Sequence, residues 1–494
     1  MKKLIAFILA CIMALLAFAS CSKTESKPDE STPSGETPSV PGTSSAEESV
    51  PEAVSEDPYE DGLPEKNYGG REFRILQRTE YKYEFEEDET APEKVNQLVA
   101  ERNRNVEDRF GVKIVTIDQM GAWGKHEDFM NYIRNSMVQE DPGYDIIAGY
   151  AAIMPSAIGD DLFRNWHDLE DWINFDKPWW SQDIVNELTV NGKLYLLTGD
   201  LSMTFWDSIT CMFFNKDIAK QHNLTELFDL VRSHEWTFDK MLEICKDTYI
   251  PTDDEKARIY SYCTQRTTQI DVYQDAFGIN VTEKDGNGMP HYTINNEKTY
   301  NALKMVFSLV VGQPFTYIIP ADKAQYEEFF GLGRSLFEPL SLGDGIKLKN
   351  YDIDFGILPM PMYNKEQDDY YTTCRDNYSV FAVPATTPDS ELEFVGIITE
   401  ALCVESSKTV IPQYYEIVLK ERNTTDADSV EMIDLSRKGV RCNFGYLYSY
   451  ALDWPAHQLN VCINNENENF DTNWQSKENI FESNLEEALA YYFD

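Results

Sequence analysis

Apolar and polar positions change rhythm repeatedly along the chain after residue 67. Residues 71–77, 112–117 and 144–148 are short runs rich in β-branched and aromatic side chains. Gly69-Gly70, Gly111, Gly121 and the Asp141-Pro142-Gly143 turn bracket them, so they read as strands. Between them, residues 92–109 place Val95, Leu98, Val99, Asn103 and Val106 on one face at helical spacing, and residues 129–138 are also helical. The resulting β–α–β–α–β order predicts an α/β sheet. Further on, residues 193–197, 209–215, 352–358 and 378–383 read as strands. Residues 237–249 form a helix that Thr237 can cap, with Phe238, Met241, Leu242 and Cys245 as its stripe. Residues 297–311, 391–404, 412–420 and 480–492 are helical, and no repeat of fixed period is visible.

The first 66 residues follow a different pattern. Lys2 and Lys3 precede an apolar run over residues 4–18, too short to span a bilayer comfortably and placed as a secretory signal. Phe18-Ala19-Ser20-Cys21 resembles a bacterial lipobox, with Phe at a position where Leu is usual. The expectation is a signal peptide over 1–20 and a lipid on Cys21, leaving the mature protein anchored to the extracellular face of the cell membrane. Residues 21–66 form an acidic, Ser/Pro-rich tether. It has too little apolar surface to offset its chain entropy and is expected to be disordered.

Length, at 494 residues, allows two or three domains. The 43 Lys+Arg against 85 Asp+Glu leave a net charge of −42, which repels phosphate backbones and argues against nucleic-acid binding. The same acidity weighs against anionic ligands. Chemistry is hard to find. The six His form neither HExxH nor a close metal pair, and no GxSxG elbow or phosphate-binding loop occurs. Asp285-Gly286-Asn287-Gly288 begins like a calcium loop, but the spacing fails at Met289 and it reads as a turn. No catalytic residue, metal or cofactor is expected. After Cys11 leaves with the signal and Cys21 is lipidated, seven Cys remain without CxxC spacing and read as buried thiols. Aromatic residues carry more information: Trp166, Trp172, Trp179, Trp180 and Trp206 cluster in sequence, and Tyr81, Tyr83, Tyr150, Tyr378, Tyr414 and Tyr415 fall near element ends. Most such rings are core, but a minority at strand ends could stack on sugar faces.

The order of several short motifs resembles the extracellular solute-binding proteins of ABC importers, in the sugar-binding family typified by maltose-binding protein. The residues are Arg102-Asn103-Arg104-Asn105-Val106 running to Phe110-Gly111-Val112, Tyr144-Asp145-Ile146-Ile147, Asn191-Gly192-Lys193-Leu194-Tyr195, and Phe213-Phe214-Asn215-Lys216-Asp217. Trp236-Thr237-Phe238-Asp239, Phe355-Gly356-Ile357-Leu358-Pro359-Met360-Pro361 and residues 378–384 complete the series. The resemblance implies a type II periplasmic-binding-protein-like α/β fold of two lobes with a central cleft and hinge crossovers. Lobe I would comprise 67–207 plus 362–412, and lobe II 212–357 plus 413–494. It implies ligand contacts from Arg78, Glu80, Tyr81 and Tyr150, from Trp206, Asp207 and Ser208 at the crossover, from Glu338 and Ser341, and from Arg375, Asn377 and Tyr378. The family's lobe II stacking Trp is matched here by Leu342, so Tyr378, Tyr414 or Trp454 would replace it. The implied function is binding without turnover, by a monomer: a carbohydrate, an oligosaccharide above all, is captured and delivered to ABC permease subunits. A receptor for peptides or other polar solutes, or a surface glycan-active enzyme, are the alternatives.

Overall fold

The computed structural model describes residues 57–493, apart from Thr90, Glu140, Lys256, Thr267, Ala324 and residues 416–426. The expected signal, Cys21 and most of the tether lie outside the described residues, as does the second half of the helix expected over 412–420. Residues 57–66, assigned to the tether on composition, lie against the body. Asp61 pairs with Arg109 and Lys66 with Glu393, and Lys177 donates to the Glu60 carbonyl. These partners lie far away in sequence, so local composition held no sign of them.

Nine strands build two sheets: β1 (Arg71–Arg78), β2 (Val112–Gln119), β3 (Ile146–Tyr150), β4 (Thr210–Asn215), β5 (Tyr260–Gln265), β6 (Thr316–Ile319), β7 (Ser335–Ser341), β8 (Phe355–Leu358) and β9 (Ser379–Ala382). The main helices are α1 (Glu93–Phe110), α2 (His126–Ser136), α3 (Phe238–Thr248), α4 (Thr268–Ala276), α5 (Glu297–Val310), α6 (Leu342–Lys347), α7 (Leu392–Glu405), α8 (Ala427–Lys438) and α9 (Glu478–Ala490). The first sheet has the order β9-β3-β1-β2, with β1 parallel to both β2 and β3 and β9 antiparallel at the edge. The second has the order β8-β4-β7-β5-β6, with β5 parallel to β6 and β7, and β4 antiparallel to both its neighbours. The chain crosses from the first sheet to the second between β3 and β4, and returns between β8 and β9.

Local physics explains the elements that pattern alone located. Helix α1 buries Val95, Leu98, Val99, Val106 and Phe110, each stabilising by about 1.5–3 kcal/mol relative to exposure. It ends at Gly111, whose φ of 59° and close approach to Asn67 leave no room for a Cβ. The Thr237 side chain accepts from the Lys240 N–H, which starts α3 where expected. The run 193–197 does not become a strand. Asn191 and Gly192 take positive φ and fold Val190 back onto Lys193, and the run touches the first sheet only at Leu197 beside Phe381. Strands β5, β6 and β7 were not separated by pattern, because Ser261, Thr264, Gln265, Thr316, Ser335 and Glu338 are buried there despite their polarity. Strand β7 even contains Pro339, which a central strand normally excludes. The ladder to β5 stops at Phe337, so the missing N–H falls beyond the pairing, and Gln269 Nε2 donates to the Pro339 carbonyl at 2.7 Å.

Three apolar clusters form the core. One surrounds the first sheet and includes Phe444, Leu447, Tyr448, Leu485 and Tyr492 from the C-terminal region. A second packs α3, α4 and α5 on the second sheet. A third joins Val95, Leu98 and Val99 of α1 to Cys211, Phe213, Ile357 and Tyr414. All seven cysteines from Cys211 to Cys462 are free thiols, six of them buried. No described helix is long and apolar enough to cross a membrane.

Candidate functional site

Parallel strands deliver their following loops to one edge of a sheet, and ligands of α/β folds sit beyond that carboxyl edge. In the first sheet the edge is marked by Arg78, Gln119 and Tyr150, and by residues 375–378, which lead into β9 where Ser379 pairs with Tyr150. In the second sheet it is marked by Gln265, Ile319 and Ser341, and by Thr210 opposite Ser341. The two edges face each other. Arg375 feels the field of Tyr326 and Asp344, which follow β6 and β7, as well as that of Asp376 and Tyr446.

The centre of this cleft is polar and incompletely satisfied. Arg78 is 1% exposed. Its Nη2 donates to the Asn377 carbonyl at 3.0 Å and to Ser379 Oγ at 3.1 Å, while Nε and Nη1 are buried without a hydrogen-bond partner. Its guanidinium carbon lies 4.4 and 5.0 Å from the ring centroids of Tyr81 and Tyr150. Arg375 Nε is likewise buried and unpartnered. From α4 and the C-terminal region, Asp271 Oδ2 lies 2.6 Å from His457 Nδ1, leaving Asp271 Oδ1 and His457 Nε2 buried without partners. Burial alone would lower the His457 pKa, but Asp271 and Asp376 together raise it, so the ring favours the imidazolium. Burial is also what raises the Tyr150 hydroxyl and the Asp376 carboxyl.

An aromatic wall closes one side. Trp123, 59% exposed, stands in the loop between β2 and α2, with ring centroids 5.0 Å from His126, 5.9 Å from Trp454 and 6.4 Å from Tyr450. Glu80 fixes that loop by accepting the Gly121 N–H at 3.0 Å. Asp453 and Trp454 both have left-handed backbones, with φ of 65° and 69°. Non-glycine residues seldom hold that conformation in succession, and such strain concentrates at functional sites.

The structure therefore brings Arg78, Tyr81, Tyr150, Arg375 and Asn377 together, with Glu80 at the rim. Ser208 sits beside them, its Oγ 2.7 Å from Asn377 Oδ1. The other expected contacts have different surroundings. Trp206 lines a cavity of about 180 Å³ with Trp179, Trp180 and Asp200, its ring 4.2 Å from the Arg437 guanidinium. Asp207 accepts from the Tyr83 hydroxyl at 2.7 Å and from Tyr414, and lines a second cavity of about 340 Å³ with Pro92, Ile346 and Lys347. Burial raises the Asp207 pKa to about 6. Glu338 is fully buried, accepting from Cys263 Sγ and Gln269 Nε2, and burial holds its pKa well above the carboxylate range. Ser341 caps α6 by accepting the Asp344 N–H. Tyr378 is buried against Phe205. Among the described residues no group of His, Cys, Asp and Glu could hold a metal ion.

Sequence reading missed Asp271, His457, Tyr326, Trp123 and Tyr446. Only Trp454 was named, as one substitute for the absent stacking Trp. The others lie on loops or short helices, without a motif to mark them.

Solved structures share this architecture. An ABC substrate-binding protein of Listeria monocytogenes in complex with cycloalternan superposes with a TM-score of 0.54 at 11% identity, covering 84% of this chain and 99% of that one. A cyclo/maltodextrin-binding protein complexed with maltotetraose gives 0.57 at 10% identity, over 84% and 97%. UgpB of Mycobacterium tuberculosis in complex with glycerophosphocholine gives 0.56 at 12% identity, over 85% and 98%. The chain has the two-lobed fold of ABC solute-binding proteins. No family model matches the sequence, and no curated protein sequence matches it.

Proposed function

We propose that this protein is the membrane-anchored, extracellular solute-binding component of an ABC import system, taking a carbohydrate into the cleft and passing it to permease subunits. The reading rests on one observation above others. Arg78, Arg375, Asp271 and His457 each bury polar atoms without a partner, and Trp454, packed on His457, belongs to an aromatic group with the exposed Trp123. Unpaired buried groups of this kind cost about 1–3 kcal/mol each unless something bonds to them. Sugar hydroxyls both donate and accept, so they suit guanidinium, carboxylate and imidazolium at once, and Trp123 and Trp454 supply faces for the C–H side of a ring. The likeness to sugar-complexed solute-binding structures supports the same reading.

Binding needs no bond making. Arg375 and Arg78 sit at the edge of one sheet, Asp271, Tyr326 and Asp344 at the edge of the other. A solute touching both sets favours the closed arrangement by its differential affinity for it. The closed form is then what a permease recognises. Lipid on Cys21 would hold the protein at the membrane, with residues 22–56 between the anchor and the body.

The test is a thermal-shift screen of the purified protein against oligosaccharides, peptides and polar solutes. A ligand at 100 times its Kd stabilises by about 2.7 kcal/mol. We expect oligosaccharides to raise the melting temperature, and Arg375→Gln to abolish the rise. Stabilisation by peptides alone would refute the assignment.

A further inference from the structure

We propose that the preferred solute is an acidic saccharide, one bearing a carboxylate such as a uronic acid, and that Arg78 and Arg375 receive that group. This rests on the reading of the cleft as a saccharide site and names the class it selects.

The charge of the whole chain points the other way, but it acts through water and salt over a Debye length of about 8–10 Å. Close to the site, only its neighbours count. Among the described residues no ion pair involves Arg78 or Arg375, and Arg78 reaches the Glu84 carboxylate only through the Ser379 hydroxyl. The surrounding acids are already engaged. Asp271 is paired with His457, and Asp344 with Lys347 at 2.7 Å. Glu338 is enclosed with Cys263 and Gln269. Glu84, one layer deeper, accepts from Ser202, Thr204 and Ser379. Asp376 interacts with Arg375 and His457 without an ion pair to Arg375 among the described residues, and burial raises its pKa.

A buried guanidinium without an anion is costly, and a carboxylate that reaches it accepts a charge-assisted bond. Arg78 has donors left for such a bond. Its Nη2 is held by two acceptors, and Nε and Nη1 each keep an N–H to give, one bond apiece rather than as a fork, because both forks of a guanidinium include Nη2. Arg78 Nη2 holds the carbonyl of Asn377, two residues after Arg375, and Ser379 pairs with Tyr150, so both side chains start beside the end of β3. A neutral hydroxyl there could accept from one N–H but could not neutralise the charge.

The experiment is calorimetry on the purified protein with trigalacturonate, alginate trisaccharides and hyaluronan and chondroitin disaccharides, each paired with its carboxyl-reduced neutral counterpart. We expect at least one acidic member to bind about tenfold or more tightly than its reduced form, with affinity falling as salt rises. Arg78→Gln and Arg375→Gln should each bring the acidic ligand to within about twofold of the neutral one. Thermal unfolding of the free variants controls for folding, and the acid–reduced comparison on the unmodified protein needs no variant. Reduced or neutral sugars binding as well as acidic ones would overturn this inference and leave the sugar-receptor reading standing. Binding of peptides alone would overturn both.

Discussion

Asp207 offers a quantitative test of the hinge region. Its carboxylate accepts hydrogen bonds from Tyr83 and Tyr414 beneath α6, and Gly343 packs so closely that a Cβ there would lie 3.1 Å from Asp207 Cβ. Burial moves its pKa from 3.8 to about 6, the tyrosine hydroxyls only partly opposing the shift. A carboxyl whose folded pKa is raised binds its proton more tightly in the folded state. Its favourable contribution is complete below pH 3.8, falls as pH rises through that window, and is lost above pH 6. At 1.36 kcal/mol per pKa unit, the change between pH 4 and pH 8 comes to about 2 kcal/mol. Asp207→Asn removes the titration while keeping the geometry, because Asn can accept from one tyrosine and donate to the other. Urea unfolding of the parent and of Asp207→Asn at pH 4, 6 and 8 isolates the term, since every other titrating group cancels in the difference. We expect the variant to gain about 2 kcal/mol on the parent between pH 4 and pH 8. A difference constant across that range would refute the reasoning, because Asp207 would then be paying nothing for its burial.

The remaining predictions concern other parts of the molecule. Trp123→Ala should weaken saccharide binding by about three- to tenfold in calorimetry, with an unchanged melting temperature because the ring is exposed. Glu338→Gln should cost less than about 1 kcal/mol in urea unfolding, since Gln mimics the protonated acid, whereas Glu338→Ala leaves Gln269 and Cys263 without their acceptor and should cost about 2–3 kcal/mol. Glu400 accepts from Trp179 Nε1 at 3.0 Å and from Trp180 Nε1 at 2.8 Å, so Glu400→Ala, which leaves both buried indole N–H groups without an acceptor, should cost about 2–3 kcal/mol in urea unfolding. Because all seven described cysteines are free, a reductant should leave the melting temperature unchanged within about 1 °C.

Much of the first sheet could be read directly. Residues 71–77 and 112–117 are short runs that open after glycines, and α1 repeats its apolar face every three to four positions, matching the residues it buries. The second sheet was harder, because β5 and β7 bury Ser, Thr, Gln and Glu whose partners come from other elements. Gln269 on α4 serves Glu338 and Pro339 on β7, and no spacing in the chain foretells that. The site divides in the same way. Arg78, Tyr150, Arg375 and Asn377 lie next to strand termini, so a likeness in the order of short motifs was enough to bring them into view. Trp206 and Asp207 lie at a crossover, where a rotation of one residue decides which side of the hinge a side chain takes, and the structure gives them to Arg437, Tyr83 and Tyr414.

Sequence alone determined the elements whose physics is local: helical stripes, capping Thr237, the glycine that ends α1, the acidic skin and the α/β order of the first sheet. The tertiary structure decided which charges keep a partner. His457 meets Asp271 and Lys347 meets Asp344, while Arg78 and Arg375 are left facing the cleft with free N–H groups. Net charge sums over the whole surface, but a ligand responds to the few groups within a Debye length that protein neighbours have left unsatisfied.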